Sequence, residues 1–286
     1  MKKLLLFVSI FAIAFSSCNP EPVPDIKSDV SIYKENLTVP SKYLMDEEEY
    51  YSIYLPVDYL TSGKKYPVLY LLHGMFSDNT EWQSKGDVVA ITDEFIKSGK
   101  ILPFIIVIPN ADNSFYVDNF DFFDGEPGHK YESFFFKEFM PYIEANYPVL
   151  TDPVATCIAG LSMGGYGASY YGFKYPERFS FSYSMSGAIE GLDWTTITDK
   201  VPSVEDIFKS KGYKQADFSK LPVYFIDCGT EDILCKVFND TTHEFLESIN
   251  FKHTFREYEG GHSWEYWKES YKRMLPDLAD QFFKIN

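Results

Sequence analysis

The sequence has little of the cysteine, histidine and basic charge on which several classes of protein depend. Among its 286 residues are four Cys and five His, and 42 acidic residues outnumber 26 Lys and Arg, which gives a formal net charge of −16. An acidic body of this kind repels phosphate backbones and offers them no basic surface. The composition therefore excludes nucleic acid as a partner and disfavours polyanionic substrates.

The scarcity of thiol and imidazole groups also bears on metal sites and disulfides. No set of Cys and His has the spacing of zinc ligands, so the sequence predicts neither a metal centre nor a cofactor. Cys157 and Cys228 lie in apolar runs typical of strands, where a free thiol packs as a small hydrophobic group. A disulfide between Cys228 and Cys235 is the alternative, because an exported protein can keep one.

Long hydrophobic runs are confined to the N-terminus. Two lysines precede an apolar run over residues 4–15, which is too short to span a bilayer and is typical of a signal peptide. Small residues then precede Cys18 and resemble the bacterial lipobox, in which this Cys becomes the lipidated first residue. The sequence therefore predicts a signal peptide over 1–17 and a lipid anchor in the bacterial cell envelope, at the outer membrane or cell surface. An ordinary signal peptide cut near Cys18 is the alternative.

The rest of the chain divides into a tether and one domain. Residues 18–28 contain three prolines and few apolar side chains, which predicts a flexible link. Residues 29–286 have the length of a single domain. Within it, nearly continuous apolar runs at 66–72 and 101–108 predict strands that are buried on both faces.

Strand and helix signals alternate along this domain. Such alternation predicts an α/β fold with a mostly parallel central sheet and helices on both of its faces. Further strands are predicted at 50–55, 155–159, 179–185, 223–226 and 251–258, and helices at 134–147, 166–173, 238–249 and 266–283.

A candidate nucleophile lies where one short strand meets a helix. Residues 160–164 read Gly-Leu-Ser-Met-Gly, and this Gly-x-Ser-x-Gly pattern is typical of a nucleophile elbow, a sharp turn that exposes the serine. The N-terminus of the following helix would favour an oxyanion there. Ser162 is therefore the candidate nucleophile, and a Gly-rich turn without chemistry is the alternative.

A serine hydroxyl needs a base to take its proton and an acid to orient that base, in the chain order Ser, Asp or Glu, His for this kind of elbow. Of the three later histidines, His243 lies in a predicted helix and His253 in a predicted strand. His262 follows two glycines in a loop beyond that strand, from which a side chain can reach a cleft. His262 is therefore the candidate base.

The candidate acid follows the strand predicted at 223–226. Asp227 adjoins the strand, while Glu231 and Asp232 lie on the loop beyond it. The loop position suits a group that must reach the histidine, which favours Asp232 and leaves Glu231 as its rival.

An oxyanion formed at the serine needs two backbone N–H donors. Met163 would supply one, directly after the nucleophile, and Met75 the other, from the loop after the strand at 66–72. His73 could be interpreted as a base, but its place before the first crossover suits a structural role.

At these residues the sequence resembles the putative esterase family of α/β-hydrolases, which includes feruloyl esterases, acetyl xylan esterases, S-formylglutathione hydrolases, enterochelin esterases and mycolyltransferases. The resemblance implies the α/β-hydrolase fold, Asp232 as the acid of a triad with Ser162 and His262, and ester hydrolysis through an acyl-serine. Ser263 stands where feruloyl-esterase-like members often have Asp. The motifs are YPVLYLLHG at 66–74, GLSMGG at 160–165, YPERF at 175–179, CGTED at 228–232 and GGHSWEYW at 260–267.

The resemblance also implies a substrate class, because exported members remove feruloyl or acetyl groups from plant polysaccharide fragments. Acyl transfer, cleavage of a siderophore ester and carbohydrate binding without catalysis are the alternatives, and the oligomeric state is left open. A group of aromatic residues after the early strands can form an acyl pocket or pack a loop against the body. These residues are Trp82, Phe115, Tyr116, Phe120, Phe122 and Phe123.

Overall fold

The computed structural model of the chain describes residues 30–44, 48–120, 129–188 and 201–285. The predicted signal peptide, Cys18 and the tether lie outside these ranges. Within them, eight strands form one sheet. The strands are β1 (Ile32–Pro40), β2 (Glu48–Leu55), β3 (Val68–Leu72), β4 (Ile105–Pro109), β5 (Thr156–Leu161), β6 (Phe181–Met185), β7 (Val223–Gly229) and β8 (Thr254–Tyr258).

The strand order makes the sheet mostly parallel, as the sequence predicts. It runs β1-β2-β4-β3-β5-β6-β7-β8, and every neighbouring pair from β4 to β8 is parallel. Only β2 runs against its neighbours β1 and β4 in this set of strands. Because parallel strands end at the same edge of a sheet, the loops after β3, β5, β7 and β8 meet there.

Helices cover both faces of the sheet, which confirms the predicted layering. A π-helical turn, Phe135–Phe139, joins α3 to α4. Among the helices described, none is both long and apolar enough to cross a membrane. The helices are α1 (Glu81–Ser84), α2 (Val88–Lys97), α3 (Tyr131–Phe134), α4 (Met140–Asn146), α5 (Met163–Lys174), α6 (Val204–Lys211), α7 (Lys236–Ser248) and α8 (Trp264–Phe282).

The central strands bury both of their faces. In β3, Val68, Tyr70 and Leu72 pack into the core on the side of α3 to α7, whereas Leu69 and Leu71 pack on the side of α2 and α8. All five are at most 2% exposed. Successive side chains of a strand point to opposite faces, so a strand covered on both faces must be apolar at every position. This requirement explains the continuous run that predicts β3.

The sequence signals miss β1, α2 and α6, and they misplace the start of β4. β1 is an edge strand with mixed burial and an irregular register between Lys34 and Leu37, so it lacks a regular alternation. β4 begins at Ile105 and not at Ile101. Pro103 lies between them and has no N–H to donate to a neighbouring strand.

Candidate active site

Ser162 occupies the sharp turn between β5 and α5. Its backbone has φ 52° and ψ −119°, a conformation that residues with a side chain rarely adopt. The Ser162 N–H donates to the carbonyl of Met185, the last residue of β6, at 2.9 Å. The sheet therefore fixes the strained turn and places the serine at the edge where the parallel strands end.

Two glycines make this turn sterically possible. A Cβ on Gly160 would lie 2.3 Å from the carbonyl oxygen of Gly164, and a Cβ on Gly164 would lie 2.5 Å from the carbonyl oxygen of Leu72. These distances are far below van der Waals contact, so α5 approaches β3 and β5 this closely only with glycine at both positions. The Gly-x-Ser-x-Gly pattern therefore forms the elbow that the sequence predicts.

Ser162, His262 and Asp232 form one hydrogen-bonded chain. Oγ of Ser162 is 2.9 Å from Nε2 of His262, and Nδ1 of His262 is 2.8 Å from Oδ2 of Asp232. The three residues come from the loops after β5, β8 and β7. The side chain of Asp232 has no exposed surface, while that of His262 is 16% exposed. Solvent therefore reaches the base but not the acid.

The carboxylate decides which nitrogen of His262 carries the proton. Since an ionised carboxylate only accepts hydrogen bonds, Nδ1–H donates to Asp232, and Nε2 is left to accept from the hydroxyl of Ser162. The indole of Trp267 packs edge-on against the imidazole, with ring centroids 4.8 Å apart. The geometry thus prepares His262 to act as a general base toward Ser162.

Asp232 is stabilised in its ionised form. Burial opposes ionisation, but the hydrogen bonds from His262 and from the N–H of Cys235 outweigh it and lower the pKa of Asp232 below its ordinary value. The backbone N–H groups of Leu234 and Cys235 both donate to Oδ1, at 3.1 and 2.8 Å. The loop therefore holds an anion whose Oδ2 faces the imidazole.

The two other acidic candidates lie elsewhere. Asp227 is fully buried at the end of β7, where it accepts hydrogen bonds from two hydroxyl groups on β6 and α8. Glu231 is exposed, and its backbone N–H donates to the carbonyl of Gly260 at 2.9 Å. The structure therefore brings Asp232 to the histidine, and the backbone of Glu231 joins the acid loop to the histidine loop.

The loop after β3 passes beside the nucleophile. A Cβ on Gly74 would lie 2.7 Å from Cδ1 of Leu161 and 3.4 Å from Cβ of Ser162, so a side chain at this position would force Leu161 to shift. Met75 follows Gly74 directly, and Met163 is the first residue of α5, where the N–H has no acceptor within the helix. These placements suit two oxyanion donors, although their role stays a prediction.

The side chain of His73 links the loop after β3 to the loop after β4 by hydrogen bonds. The imidazole is fully buried, its Nδ1–H donates to the carbonyl of Gly74 at 2.7 Å, and its Nε2 accepts from the N–H of Ala111 at 2.8 Å. Burial lowers the pKa of His73, and only the neutral ring can accept at Nε2. His73 therefore has the structural role that its sequence position suggests, since neither nitrogen remains to take a proton from Ser162.

Trp82, one of the residues expected to line an acyl pocket, is buried in the body of the protein. It has no exposed surface and packs against Trp264 and Tyr271. Its indole N–H donates to the carbonyl of Leu72 at 3.0 Å. The interpretation of Trp82 as a wall of the cleft is therefore wrong, because both its apolar body and its polar atom find partners inside.

Phe115 and Tyr116 also pack a loop against the body. They are 2% and 0% exposed, and both have positive φ angles, 51° and 60°. Packing must offset this strain, and the Tyr116 hydroxyl contributes by donating to the carbonyl of His73 at 2.9 Å. The pocket interpretation is therefore corrected for both residues. Phe120 is 5% exposed and contacts Phe115. Phe122 and Phe123 lie outside the described residues.

Exposed apolar side chains adjoin the catalytic candidates in the chain instead. Phe76, directly after Met75, is 63% exposed, while Ile233 and Leu234, directly after Asp232, are 93% and 58% exposed. None of the three belongs to a motif that the sequence singles out. Their only signal is the presence of large apolar residues in loops beside the triad, since neighbouring exposed apolar groups often mark a binding site.

The cysteines near the acid are free thiols. Cys228 and Cys235 are both buried and unbridged, so the alternative of a disulfide between them is wrong. The thiol of Cys228 donates to Oδ2 of Asp232 at 3.8 Å. Burial raises the pKa of both thiols, which keeps them protonated.

Proteins of known sequence are similar to large parts of this chain. The family model described as "Putative esterase" matches residues 43–278. An esterase of Mycobacterium tuberculosis is 37% identical over 137 residues, which are 48% of this chain and 28% of that protein. An endo-1,4-beta-xylanase/feruloyl esterase of Xylanibacter ruminicola is 35% identical over 141 residues, 48% of this chain and 19% of that protein. The chain thus spans less than a third of these curated relatives.

Solved structures share the fold over most of the chain. A ferulic acid esterase superposes with a TM-score of 0.78 at 34% identity, covering 88% of this chain and 99% of its own. A ferulic acid esterase from Anaeromyces mucronatus, in complex with ferulic acid, gives a TM-score of 0.70 at 23% identity, over 96% of this chain and 100% of its own. The α/β-hydrolase fold is thereby confirmed. By its matched residues, its sheet order and its nucleophile elbow, the chain belongs to the putative esterase family of α/β-hydrolases.

Proposed function

We propose that this protein is a serine carboxylic ester hydrolase that works through an acyl-serine intermediate. The observation that carries the proposal is the chain of hydrogen bonds from Ser162 through His262 to Asp232, with links of 2.9 and 2.8 Å. Acyl transfer to water requires a nucleophile, a base oriented by a carboxylate and donors for the oxyanion. The triad supplies the first two, and the N-terminus of the helix beside it supplies the third.

The first half of the reaction forms the acyl-serine. Oγ of Ser162 attacks the ester carbonyl carbon while Nε2 of His262 takes the hydroxyl proton. Asp232 keeps the imidazole in the required tautomer and stabilises its positive charge. The oxyanion is placed to accept from the N–H groups of Met75 and Met163. When the tetrahedral intermediate collapses, His262 returns the proton to the departing alcohol oxygen.

The second half releases the acid. Nε2 of His262 takes a proton from water, the resulting hydroxide attacks the acyl carbon, and the proton passes to Oγ of Ser162 as the bond to the acyl group breaks. A sugar hydroxyl in place of water would give acyl transfer. We expect free acid as the main product even when xylo-oligosaccharides are added as acceptors, which chromatography of the products measures.

A fluorophosphonate probe tests whether the serine is activated at all. The probe should label the wild-type protein covalently and should leave Ser162→Ala unlabelled, because only a serine paired with a base reacts at a useful rate. A folded wild-type protein that resists the probe would instead favour a carbohydrate-binding protein on an inactive hydrolase scaffold.

We further infer that the acyl group is aromatic, of the feruloyl type found on plant polysaccharide fragments. The 34% identity to a ferulic acid esterase and the xylanase/feruloyl esterase relative support this inference. So do the exposed side chains of Phe76, Ile233 and Leu234, which adjoin the oxyanion loop and the acid. They give these two loops exposed apolar surface on which an acyl ring can pack.

Methyl ferulate should be hydrolysed about 50- to 70-fold more efficiently than methyl acetate. Burying ~100 Å² more apolar surface stabilises the transition state by about 2.5 kcal/mol at ~25 cal/mol per Å². Phe76→Ala and Ile233→Ala should each reduce this preference about threefold or more while leaving kcat/KM for the acetyl ester within about twofold. Leu60→Ala, which removes a side chain of similar exposure from the loop after β2, is the matched control.

Two results would contradict the aromatic acyl group. One is a preference for acetylated over feruloylated xylan oligosaccharides. The other is an equal loss of kcat/KM on both model esters in Phe76→Ala, which would mean that the side chain supports the loop and not the ring.

We also propose that the mature protein begins at Cys18 and is held by lipid in the bacterial cell envelope. The support is the run over residues 4–15 and the small residues before the cysteine. Intact-mass analysis of the membrane fraction should give a chain that starts at Cys18 and carries acyl groups, whereas Cys18→Ser should remain unprocessed and unacylated. A wild-type chain that starts elsewhere without lipid would identify an ordinary secreted protein.

A further inference from the structure

Three potential metal ligands meet at a place remote from Ser162 in the fold, between α7 and β8. His243 and Glu247 lie one helical turn apart on α7 and therefore share a face. His253 lies on the connection that leads from α7 into β8. Nδ1 of His243 is 2.8 Å from Nε2 of His253, and the ligand atoms of the three residues all lie within 4.8 Å of one another.

The orientation of His253 is fixed by its backbone partner. Its Nδ1–H donates to the carbonyl of Phe251 at 2.9 Å, so Nε2 carries the free electron pair. A metal-binding imidazole usually makes this hydrogen bond with its second nitrogen, which sets the tautomer and the ring orientation.

Aromatic packing orients both rings. The imidazole of His243 stacks on Phe255 with centroids 4.5 Å apart and planes inclined by 23°, and that of His253 lies nearly parallel to Phe251, at 6.4 Å and 17°. In the structure, His243 donates its Nδ1–H to Nε2 of His253. If that proton moves to Nε2 of His243, the lone pairs of Nδ1 of His243 and Nε2 of His253 point toward one position. The total charge of the two rings does not change.

We propose that His243, Glu247 and His253 bind a Zn²⁺ ion, with water as the fourth ligand. Two imidazoles and a carboxylate are a ligand set that zinc accepts in tetrahedral geometry, with bonds of about 2.0–2.2 Å. Bonds of that length place two nitrogens about 3.3 Å apart, so the histidines must separate by about 0.5 Å. His253 also lies on the wall of a surface groove of about 560 Å³, and Glu247 is exposed, so solvent reaches two of the three ligands.

The ion would join two elements that support the triad. α7 follows the loop of Asp232, and β8 precedes the loop of His262. A metal ion bound by α7 and the start of β8 therefore stabilises the two elements that adjoin the loops of Asp232 and His262, without contacting the reacting groups. The proposal does not depend on the ester hydrolase function.

Calorimetric titration of the metal-stripped full-length protein with ZnCl2 tests the site. Wild type should bind one equivalent more than His253→Ala or His243→Ala. Zinc at about 100 times its Kd should raise Tm by about 5 °C in wild type but not in those variants. Glu247→Gln, at an exposed position that tolerates change, should weaken binding about tenfold or more. Glu244→Gln, on the same helix with the same loss of charge, should bind as wild type does, and Mg²⁺ should not compete.

Two results would overturn the proposal. The first is a wild-type protein that binds no zinc at millimolar concentration. The second is zinc binding that is unchanged in His243→Ala, His253→Ala and Glu247→Gln and that stops ester hydrolysis. That outcome would place the ion at Asp232, Cys235 and His262, whose ligand atoms also lie within 4.8 Å of one another.

Discussion

Ser162→Ala should lower kcat for ester hydrolysis by about four to six orders of magnitude, and His262→Ala should do the same. The nucleophile and the base act as one unit, since neither the hydroxyl without its base nor the base without a hydroxyl attacks the carbonyl. The double variant should therefore be little worse than either single variant. Steady-state rates on methyl ferulate and on an aryl acetate measure these losses.

The control for this first experiment is Ser219→Ala, which removes an exposed hydroxyl far along the chain from the elbow and should leave kcat unchanged. Circular dichroism and Tm should show that Ser162→Ala is folded, because the alanine keeps the same backbone and removes only Oγ. Near-normal turnover in folded Ser162→Ala would end the proposal of an acyl-serine.

Asp232→Asn should lower kcat by about four orders of magnitude. The N–H groups of Leu234 and Cys235 donate to Oδ1, so they would hold the amide oxygen of the new side chain at that position. Its NH2 group would then face Nδ1 of His262. A donor there forces Nδ1 to accept, which moves the imidazole proton to Nε2, and Nε2 can no longer take a proton from Ser162.

Glu231→Gln is the matched control for this second experiment, because it makes the same chemical change one residue earlier at an exposed position. It should retain kcat within about twofold, since surface changes away from the reacting groups have small effects. If Glu231→Gln is the damaging change and Asp232→Asn is mild, the acid of the triad is misassigned.

The nucleophile can be predicted from the sequence because its geometry is local. Gly160 and Gly164 are required by contacts within the turn itself and with the adjacent strand, so the pattern around Ser162 carries its own structural explanation. The histidine can be predicted because a parallel sheet brings the loops at the ends of its strands together. The residues alone leave Asp232 and Glu231 as rivals, and the hydrogen bond from His262 to Asp232 separates them.

The orientation of the aromatic side chains could not be predicted in the same way. Their places in the chain predict that they lie near the site, but the direction of a ring depends on the surface that receives it. Tyr116 turns inward because Gly167 leaves room for it on α5, where a Cβ would lie 2.5 Å from the tyrosine ring. No feature of residues 115–123 alone contains that information.

The mostly parallel sheet, the elbow at Ser162 and the identity of His262 follow from the amino-acid sequence, because each depends on periodicity, on a local turn or on the chain order of the fold. Three-dimensional packing is needed to establish that Trp82 is buried, that Phe76 and Ile233 are exposed, and that His243 contacts His253. These last two residues are separated by a helix end and a turn, so their contact depends on how α7 packs beside β8. The angle at which a strand returns beside the helix before it is set by the rest of the core, so the spacing of the two histidines in the sequence does not reveal their contact.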